Sequence, residues 1–330
     1  MKILFINSTH SDYMQDILYS GLSKILGTKN IFTFPCNKQY FLPIKQYPKN
    51  LGYRSGNTLA YIGSFVRSRN YDFVIVASAK PDTFKSYLKI IHKIPPEIPV
   101  IFIDGGDFDE VGGDLKRKDS YELYEQAIAI REFDLVFKRE MLIDKAYAKN
   151  VFPCPFAFNM DKIEHIKSQQ KKYDVSFWAV ESHEIRTQAL SLIENKYDCA
   201  ENGTTRNQTF KKYKRKGTFY LEELKRCKIV LNFRGRGWDT LRYWEAPSLS
   251  VCMISQKPQI IIPHPFTDKK NILYCNNNID NLTELCDYYL RNNEERDKIA
   301  LESFKHIHKY HTDIQRAHFV LSTIINQFKP

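Results

Sequence analysis

Short apolar runs alternate with longer segments of helical period along this chain, and the alternation begins twice. In the first half the apolar runs are residues 2–6, 30–34, 72–77, 99–103 and 134–138. Between them, residues 12–27, 55–69, 82–93 and 119–130 carry apolar side chains at helical spacing. Strands this short, and apolar on both faces, need cover on both sides, so the pattern predicts a parallel sheet sandwiched between helices. The pattern restarts at residues 173–180, with further strands at 228–233, 251–255 and 272–275 and helices at 183–195 and 219–226. The chain then closes in three helical stretches, 280–292, 293–309 and 312–327. Its 330 residues exceed what one core usually covers. The expectation is α/β: two Rossmann-like domains, 1–155 and 156–330, facing each other across a cleft, with C-terminal helices. The stretch 151–162, VFPCPFAFNMDK, has two prolines and no helical period, and reads as the linker. Ligands of such a sheet sit beyond the C-terminal ends of its strands.

Residues Cys227 to Phe266 carry the strongest chemical signal. A buried strand runs into Arg234-Gly235-Arg236-Gly237, and a helix follows from about Asp239 with Arg242 and Glu245 on it. Glycines let a backbone approach a phosphate closely, helix N–H groups point at it, and guanidinium pairs with its oxygens. Arg242 and Glu245 are three apart and share one helix side. Arg234, Arg236 and Arg242 then suit a diphosphate, and Glu245 the hydroxyl pair of a ribose. The plain alternative is a solvated loop and an exposed ion pair. Asp239 reads as the helix N-cap. Ser182, His183 and Arg186 begin the first helix of the second half; Arg186 could reach the diphosphate from the opposite side or be an exposed helix arginine, and Ser182 is a further donor-binding candidate.

In the first half, Asp104 and Asp107 lie on the glycine turn Ile103-Asp104-Gly105-Gly106-Asp107 after a strand. Either could take a proton from an acceptor hydroxyl, or simply cap a turn. His10 follows the first strand behind Asn7, Ser8 and Thr9, and imidazole titrates near neutrality. His306, His308 and His311 look like a metal cluster, but His308 and His311 are three apart with no third ligand of matching spacing, so all three read as helix-surface or capping residues and no metal is expected.

The net charge of +11 attracts anions, and residues 211–216, KKYKRK, are its densest run. The seven cysteines show no ligand spacing and sit mostly in apolar runs, as reduced, buried thiols of a cytoplasmic protein do. No segment approaches the ~18 apolar residues of a membrane span, and the opening MKILFINSTH reads as a strand and not as a signal peptide.

Several segments resemble the group 1 glycosyltransferases of GT-B fold, in particular their CgeB-like (spore maturation protein) branch. Tyr173-Asp174-Val175-Ser176-Phe177 with Arg186 is similar to the opening of that family's second domain. Arg242-Tyr243-Trp244-Glu245-Ala246 is similar to its Glu-bearing helix, and Pro265-Phe266 with Asn271-Ile272 to its following turn. Asn293 to Ala300 with His311-Thr312 and Arg316 resembles its closing helices. The likeness spans roughly residues 170–320; Ala179 stands where the family usually has glycine. It implies a hexosyltransferase-type enzyme that takes a nucleotide-sugar donor as substrate, with no metal or other cofactor, and binds its acceptor mainly on the first domain. The acceptor would be a glycan or a lipid-linked hydroxyl, with the basic surface docking peripherally on anionic membrane. Two alternatives remain at this stage: a non-catalytic polyanion- or nucleic-acid-binding protein, and a nucleotide-sugar epimerase or hydrolase on the same fold.

Overall fold

The computed structural model describes residues 1–41, 57–59, 62–164, 166–167, 169–208 and 217–328. It divides into two compact units, Met1–Asn159 with Asp313–Pro330, and Met160–Thr312. The basic run at 211–216 lies outside the described residues; of the helix expected at 55–69, Asn57–Thr58 is a strand instead and the helix runs Ile62–Ser68.

The first unit is built on β1 (Ile3–Ile6), β2 (Ile31–Phe34), β3 (Asn57–Thr58), β4 (Phe73–Val76), β5 (Val100–Asp104), β6 (Leu135–Lys138) and β7 (Val151–Pro153). They form one sheet in the order β3-β2-β1-β4-β5-β6-β7. Every pairing is parallel, and Ile3–Ile6 lies against both Ile31–Phe34 and Phe73–Val76. Strand order reverses between β1 and β4, and such a switch point opens a crevice at the C-terminal strand ends. Helices α1 (Tyr13–Leu26), α2 (Ile62–Ser68), α3 (Pro81–Leu88), α4 (Gly113–Lys116) and α5 (Glu122–Ile130) accompany the sheet. The Asp12 side chain caps α1 by accepting the Gln15 N–H, and α3 opens on a proline that needs no hydrogen-bond partner. Val74, Val76, Phe102 and Val136 from the strands pack with Phe84, Tyr87, Leu123 and Ala127 from the helices.

The second unit has β8 (Tyr173–Ser176), β9 (Cys227–Asn232), β10 (Cys252–Gln256) and β11 (Leu273–Cys275), ordered β11-β10-β9-β8 and parallel. Its helices are α6 (Glu184–Ile193), α7 (Cys199–Asn202), α8 (Gly217–Lys225), α9 (Leu241–Ser248), α10 (Leu282–Arg291) and α11 (Asn293–Tyr310). Val175, Ile229, Leu231 and Ile254 meet Ile185, Ala189, Leu282 and Ile299 in its core.

Two boundaries differ from the sequence reading. Val151–Pro153 is not linker but the edge strand β7, paired with β6 through Val136, Phe137 and Lys138. The proline is tolerated there because an edge strand can spare its N–H. The last helix, α12 (Asp313–Phe328), belongs to the first unit and not the second. It packs on α1 so closely that a Cβ on Gly21 would overlap the Asp313 carbonyl and Ala317. Asp313 is buried at its start, accepts from Ser20 and pairs with Lys24 at 2.8 Å, while its N–H donates to the Phe158 carbonyl at 3.0 Å. Lys24 also donates to Asn159 at 3.0 Å. The chain therefore leaves and re-enters this unit at one stapled place.

Cys36 is exposed, and the other six cysteines are buried and free. Burial pushes the thiols of Cys199, Cys227, Cys252 and Cys275 up to about 12. Those four are inert packing groups. No helix among the described residues is long and apolar enough to cross a membrane.

Candidate functional site

In the second unit the segments leaving β8 and β9 come together. Arg186, one turn into α6, ties them. Its Nε donates to the Arg234 carbonyl at 2.9 Å, Nη1 to Val180 at 2.9 Å and Nη2 to Phe233 at 3.0 Å. The sequence reading sent this guanidinium to a diphosphate. The structure instead spends its planar fork on three backbone carbonyls, which holds the two strand ends in register. Gly235 packs directly on this strut: a Cβ there would stand 3.0 Å from Arg186 Nη2 and 3.2 Å from Ser182 Oγ. Ser182 and Gly235 are thus neighbours, as expected, and a side chain at 235 would push the loops apart. A hydrogen bond from Gly235 N–H to the Gly237 carbonyl, 3.0 Å, folds the β9 loop back.

Arg234 lies over the Trp238 ring at 4.2 Å and donates to the Arg236 carbonyl at 3.1 Å. Cation–π stacking holds a guanidinium in place without neutralising it. Arg236 is exposed, and its side chain has no hydrogen bond or ion pair among the described residues. Arg242 reaches the Trp178 carbonyl beyond β8 and lies over Phe177 at 5.2 Å. Four arginines therefore converge on the ends of β8 and β9, three of them anchored by backbone carbonyls. Glu245 faces a different environment. It is 3% exposed, and its Oε2 accepts from Tyr220 at 3.0 Å.

The N-cap of α9 is Thr240, not Asp239. Asp239 is buried and accepts the Trp244 indole N–H at 2.7 Å. A buried indole needs a partner, and this outweighs capping. Of the histidines of the C-terminal helices, His308 is exposed and His311 is the C-cap of α11, as the surface-or-capping reading expects, but the His311 ring does not lie on the surface. His311 is fully buried against Trp244, with ring centroids 4.8 Å apart. His306 Nε2 and His311 Nε2 both meet the His264 carbonyl, at 2.8 and 2.9 Å. Burial lowers the His306 pKa, against the opposing pull of that carbonyl, so the His306 ring is a neutral donor bracing the loop after β10.

In the first unit the three proposed bases have different surroundings. Asp104 and Lys138 are both 0% exposed and pair at 3.2 Å. Asp104 also accepts from Gly106 N–H at 3.2 Å and Gly112 N–H at 2.8 Å. Lys138 reaches the Phe108 carbonyl. Asp104 therefore folds the turn after β5, the role its capping alternative describes. Asp107 is ion-paired with Arg139, which also donates to the Gly106 carbonyl and lies over Phe156 at 4.4 Å. His10 is different: its side chain is 75% exposed, and its Nδ1 lies 3.4 Å from Asp82 Oδ2.

Asp82, in the first turn of α3, was not singled out from sequence. It accepts from Ser8 Oγ at 2.9 Å, Thr9 N–H at 2.8 Å and Thr9 Oγ1 at 3.0 Å. Burial pushes its carboxyl up, but the bonds from Thr9 and Ser8, with the His10 charge, outweigh that and hold it below its ordinary value. Ser8 is itself fixed by Gln15, Asn7 and Asn37. A signal was available: Pro81-Asp82 opens a helix directly after an apolar strand. Trp238, Tyr220 and Lys138 were likewise missed, and only Lys138 carried a local sign, a lysine ending an apolar strand.

Comparison with known proteins follows the same lines. Residues 190–322 match the Glyco_trans_1_2 family, described as glycosyl transferase-like. No curated protein sequence matches the chain. Among solved structures, Anabaena HepE in complex with UDP aligns with a TM-score of 0.60 at 10% identity, covering 99% of this chain and 100% of that one. Sucrose-phosphate synthase from Thermosynechococcus elongatus aligns at 0.57 and 10% identity, covering 99% of each chain. An alpha-glucosyltransferase in complex with UDP-glucose and DNA containing an abasic site aligns at 0.57 and 11% identity, again over 99% of each chain. The fold is thus that of the GT-B glycosyltransferases, two Rossmann-like domains, and the glycosyl transferase-like match covers most of the second and runs into the last helix.

Proposed function

We propose that this protein is a glycosyltransferase that moves a hexosyl group from a nucleoside-diphosphate sugar to an acceptor hydroxyl. The observation that carries the reading is the arginine cluster at the ends of β8 and β9. Three guanidinium groups are pre-positioned by carbonyls there, and the exposed Arg236, with no side-chain partner among the described residues, stands beside them. Arg234, Arg236 and Arg242 bind the diphosphate, with Gly235 and Gly237 keeping the loop low enough for close approach. Arg186 serves them as a strut. Glu245, whose Oε2 accepts from Tyr220, is assigned to the ribose hydroxyls in this reading.

Transfer breaks the bond from the anomeric carbon to the phosphate oxygen, which leaves with the electron pair as nucleoside diphosphate. A bond from that carbon to the acceptor oxygen forms, and the acceptor's proton goes to a base. The charge that develops on the leaving oxygen is met by fixed cations that need not reorganise, so these arginines supply what a divalent metal would supply elsewhere. Of the three proposed bases, His10 has the most exposed side chain, and a carboxylate lies against its Nδ1.

UDP-glucose is the first donor to test, because HepE and the alpha-glucosyltransferase are complexes with UDP or UDP-glucose. Calorimetric titration with UDP, GDP and ADP, followed by turnover of the corresponding sugars with glycan, lipid-linked and DNA acceptors, decides the reading. Binding of one nucleotide and acceptor-dependent release of it supports transfer. Release that ignores every acceptor supports a hydrolase or epimerase instead. No nucleotide binding, with salt-sensitive binding to DNA, leaves a polyanion-binding protein.

A further inference from the structure

His183 lies where the two strand-end loops meet, and its position has a chemical consequence. It is the N-cap of α6, and its Nδ1 accepts the Ile185 N–H at 3.3 Å. A ring nitrogen that accepts carries no proton, so the single proton of the neutral ring is on Nε2. Nε2 lies across the ring from the cap and points away from the helix. The charged groups acting on the ring are Arg234 and Arg186 on the unfavourable side and Glu184 on the favourable one. Half-burial, then Arg234 and Arg186, lower its pKa, so at neutral pH the ring remains an uncharged Nε2–H donor.

Two features of the surroundings make this donor more than a cap. The preceding residue, Ser182, is exposed, and its hydroxyl has no partner among the described residues. Gly235 sits against that hydroxyl, which brings the Arg234–Arg236 loop beside it. Histidine is not among the strong N-caps, which are Asn, Asp, Ser and Thr. Asp, a stronger cap, would set a negative charge beside Arg234 and oppose an incoming anion. A histidine satisfies the helix end through one nitrogen and leaves the positive potential of the loop intact.

We propose that His183 is a further phosphate-binding residue, its Nε2–H donating to a phosphoryl oxygen of the nucleoside diphosphate alongside the Ser182 hydroxyl and the Arg234 guanidinium. This rests on the donor-site reading above. Two substitutions separate the ring nitrogens. His183→Asn places a side-chain acceptor where Nδ1 is and removes the distal donor. His183→Gln keeps a donor near the Nε2 position and weakens the cap. The full chain and both variants are titrated calorimetrically with UDP, GDP and ADP, and their melting temperatures are measured.

The expected result is a crossed one. His183→Asn melts with the wild type but binds the preferred nucleotide about tenfold more weakly, ~1.4 kcal/mol. His183→Gln melts lower and keeps most of the affinity. Equal affinity in wild type and His183→Asn overturns the proposal and leaves the donor site standing. A parallel loss of affinity and melting temperature in both variants also overturns it, because the ring then acts only through the helix end. If the wild type binds none of the three nucleotides, the donor-site reading falls and His183 with it.

Discussion

Replacing Arg186 distinguishes a strut from a ligand. In the structure its guanidinium holds three carbonyls, those of Val180, Phe233 and Arg234, at 2.9 to 3.0 Å. A hydrogen bond from a charged donor contributes ~1.5–3 kcal/mol net where it is buried. Arg186 is half-buried, so water recovers part of this in the variant, and about 1 kcal/mol per carbonyl is the fair figure. Arg186→Ala should then destabilise the second unit by about 3 kcal/mol. With a urea slope of ~2 kcal/mol/M, the midpoint of that unit's transition falls by about 1.5 M. Arg186→Lys keeps the charge but has one point donor and no fork, so it recovers at most a third of the loss. Urea unfolding followed by Trp fluorescence reports the transition, because Trp178, Trp238 and Trp244 all lie in this unit. Calorimetry with UDP reports the site. A ligand role predicts the reverse pattern: unfolding midpoints within about 0.3 M of wild type, a large loss of UDP affinity in Arg186→Ala, and partial recovery in Arg186→Lys. That pattern would refute the strut.

Three further outcomes follow from single side chains. Lys24→Met leaves Asp313, whose side chain is 1% exposed, without its cation, and should cost the first unit about 3 kcal/mol in urea unfolding; an unchanged midpoint would mean that Ser20 suffices alone. Glu245→Gln keeps an acceptor for Tyr220 but loses the charge, and should raise the Kd of UDP about tenfold while sparing the melting temperature; His10→Ala should lower kcat about a hundredfold with KM little changed, and a loss confined to KM would remove His10 from the proton path. For pH, His183 and His306 both have folded pKa values below the ordinary 6.5, each chiefly through burial. The unfolded chain therefore takes up these protons first, so their contribution is complete above the ordinary value and is lost as pH falls through the folded values; the urea midpoint should drop from pH 7 to pH 5, and His306→Gln should flatten that drop.

The sheets were legible because their signal is local. Ile3–Ile6, Phe73–Val76 and Val100–Asp104 are buried at every position, and only a strand covered on both faces tolerates such a run. β7 was not, because three residues ending in proline carry no period. The fate of α12 was invisible for another reason. Its apolar stripe says that it packs, but which unit receives it depends on Gly21 and Lys24 in α1, far away in the chain.

The candidate site divides in the same way. The glycines and arginines after β9 could be found because strand, loop and helix follow one another in sequence, and the phosphate-binding logic needs nothing else. What each side chain does there depends on partners that no spacing rule encodes. Arg186 resembles a phosphate ligand until the carbonyls of Val180, Phe233 and Arg234 are seen around it. Asp104 resembles a base until Lys138 closes over it. In both cases a charged residue beside a loop that follows a strand is engaged with backbone carbonyls or amides. Loops at the C-terminal ends of parallel strands expose many unsatisfied peptide groups, and a site built there needs charged side chains to hold the loops as well as to bind the ligand. The donor-site reading therefore asks some of these side chains to do both: Arg234 and Arg242 hold backbone carbonyls and lie beside the exposed Arg236 and Ser182.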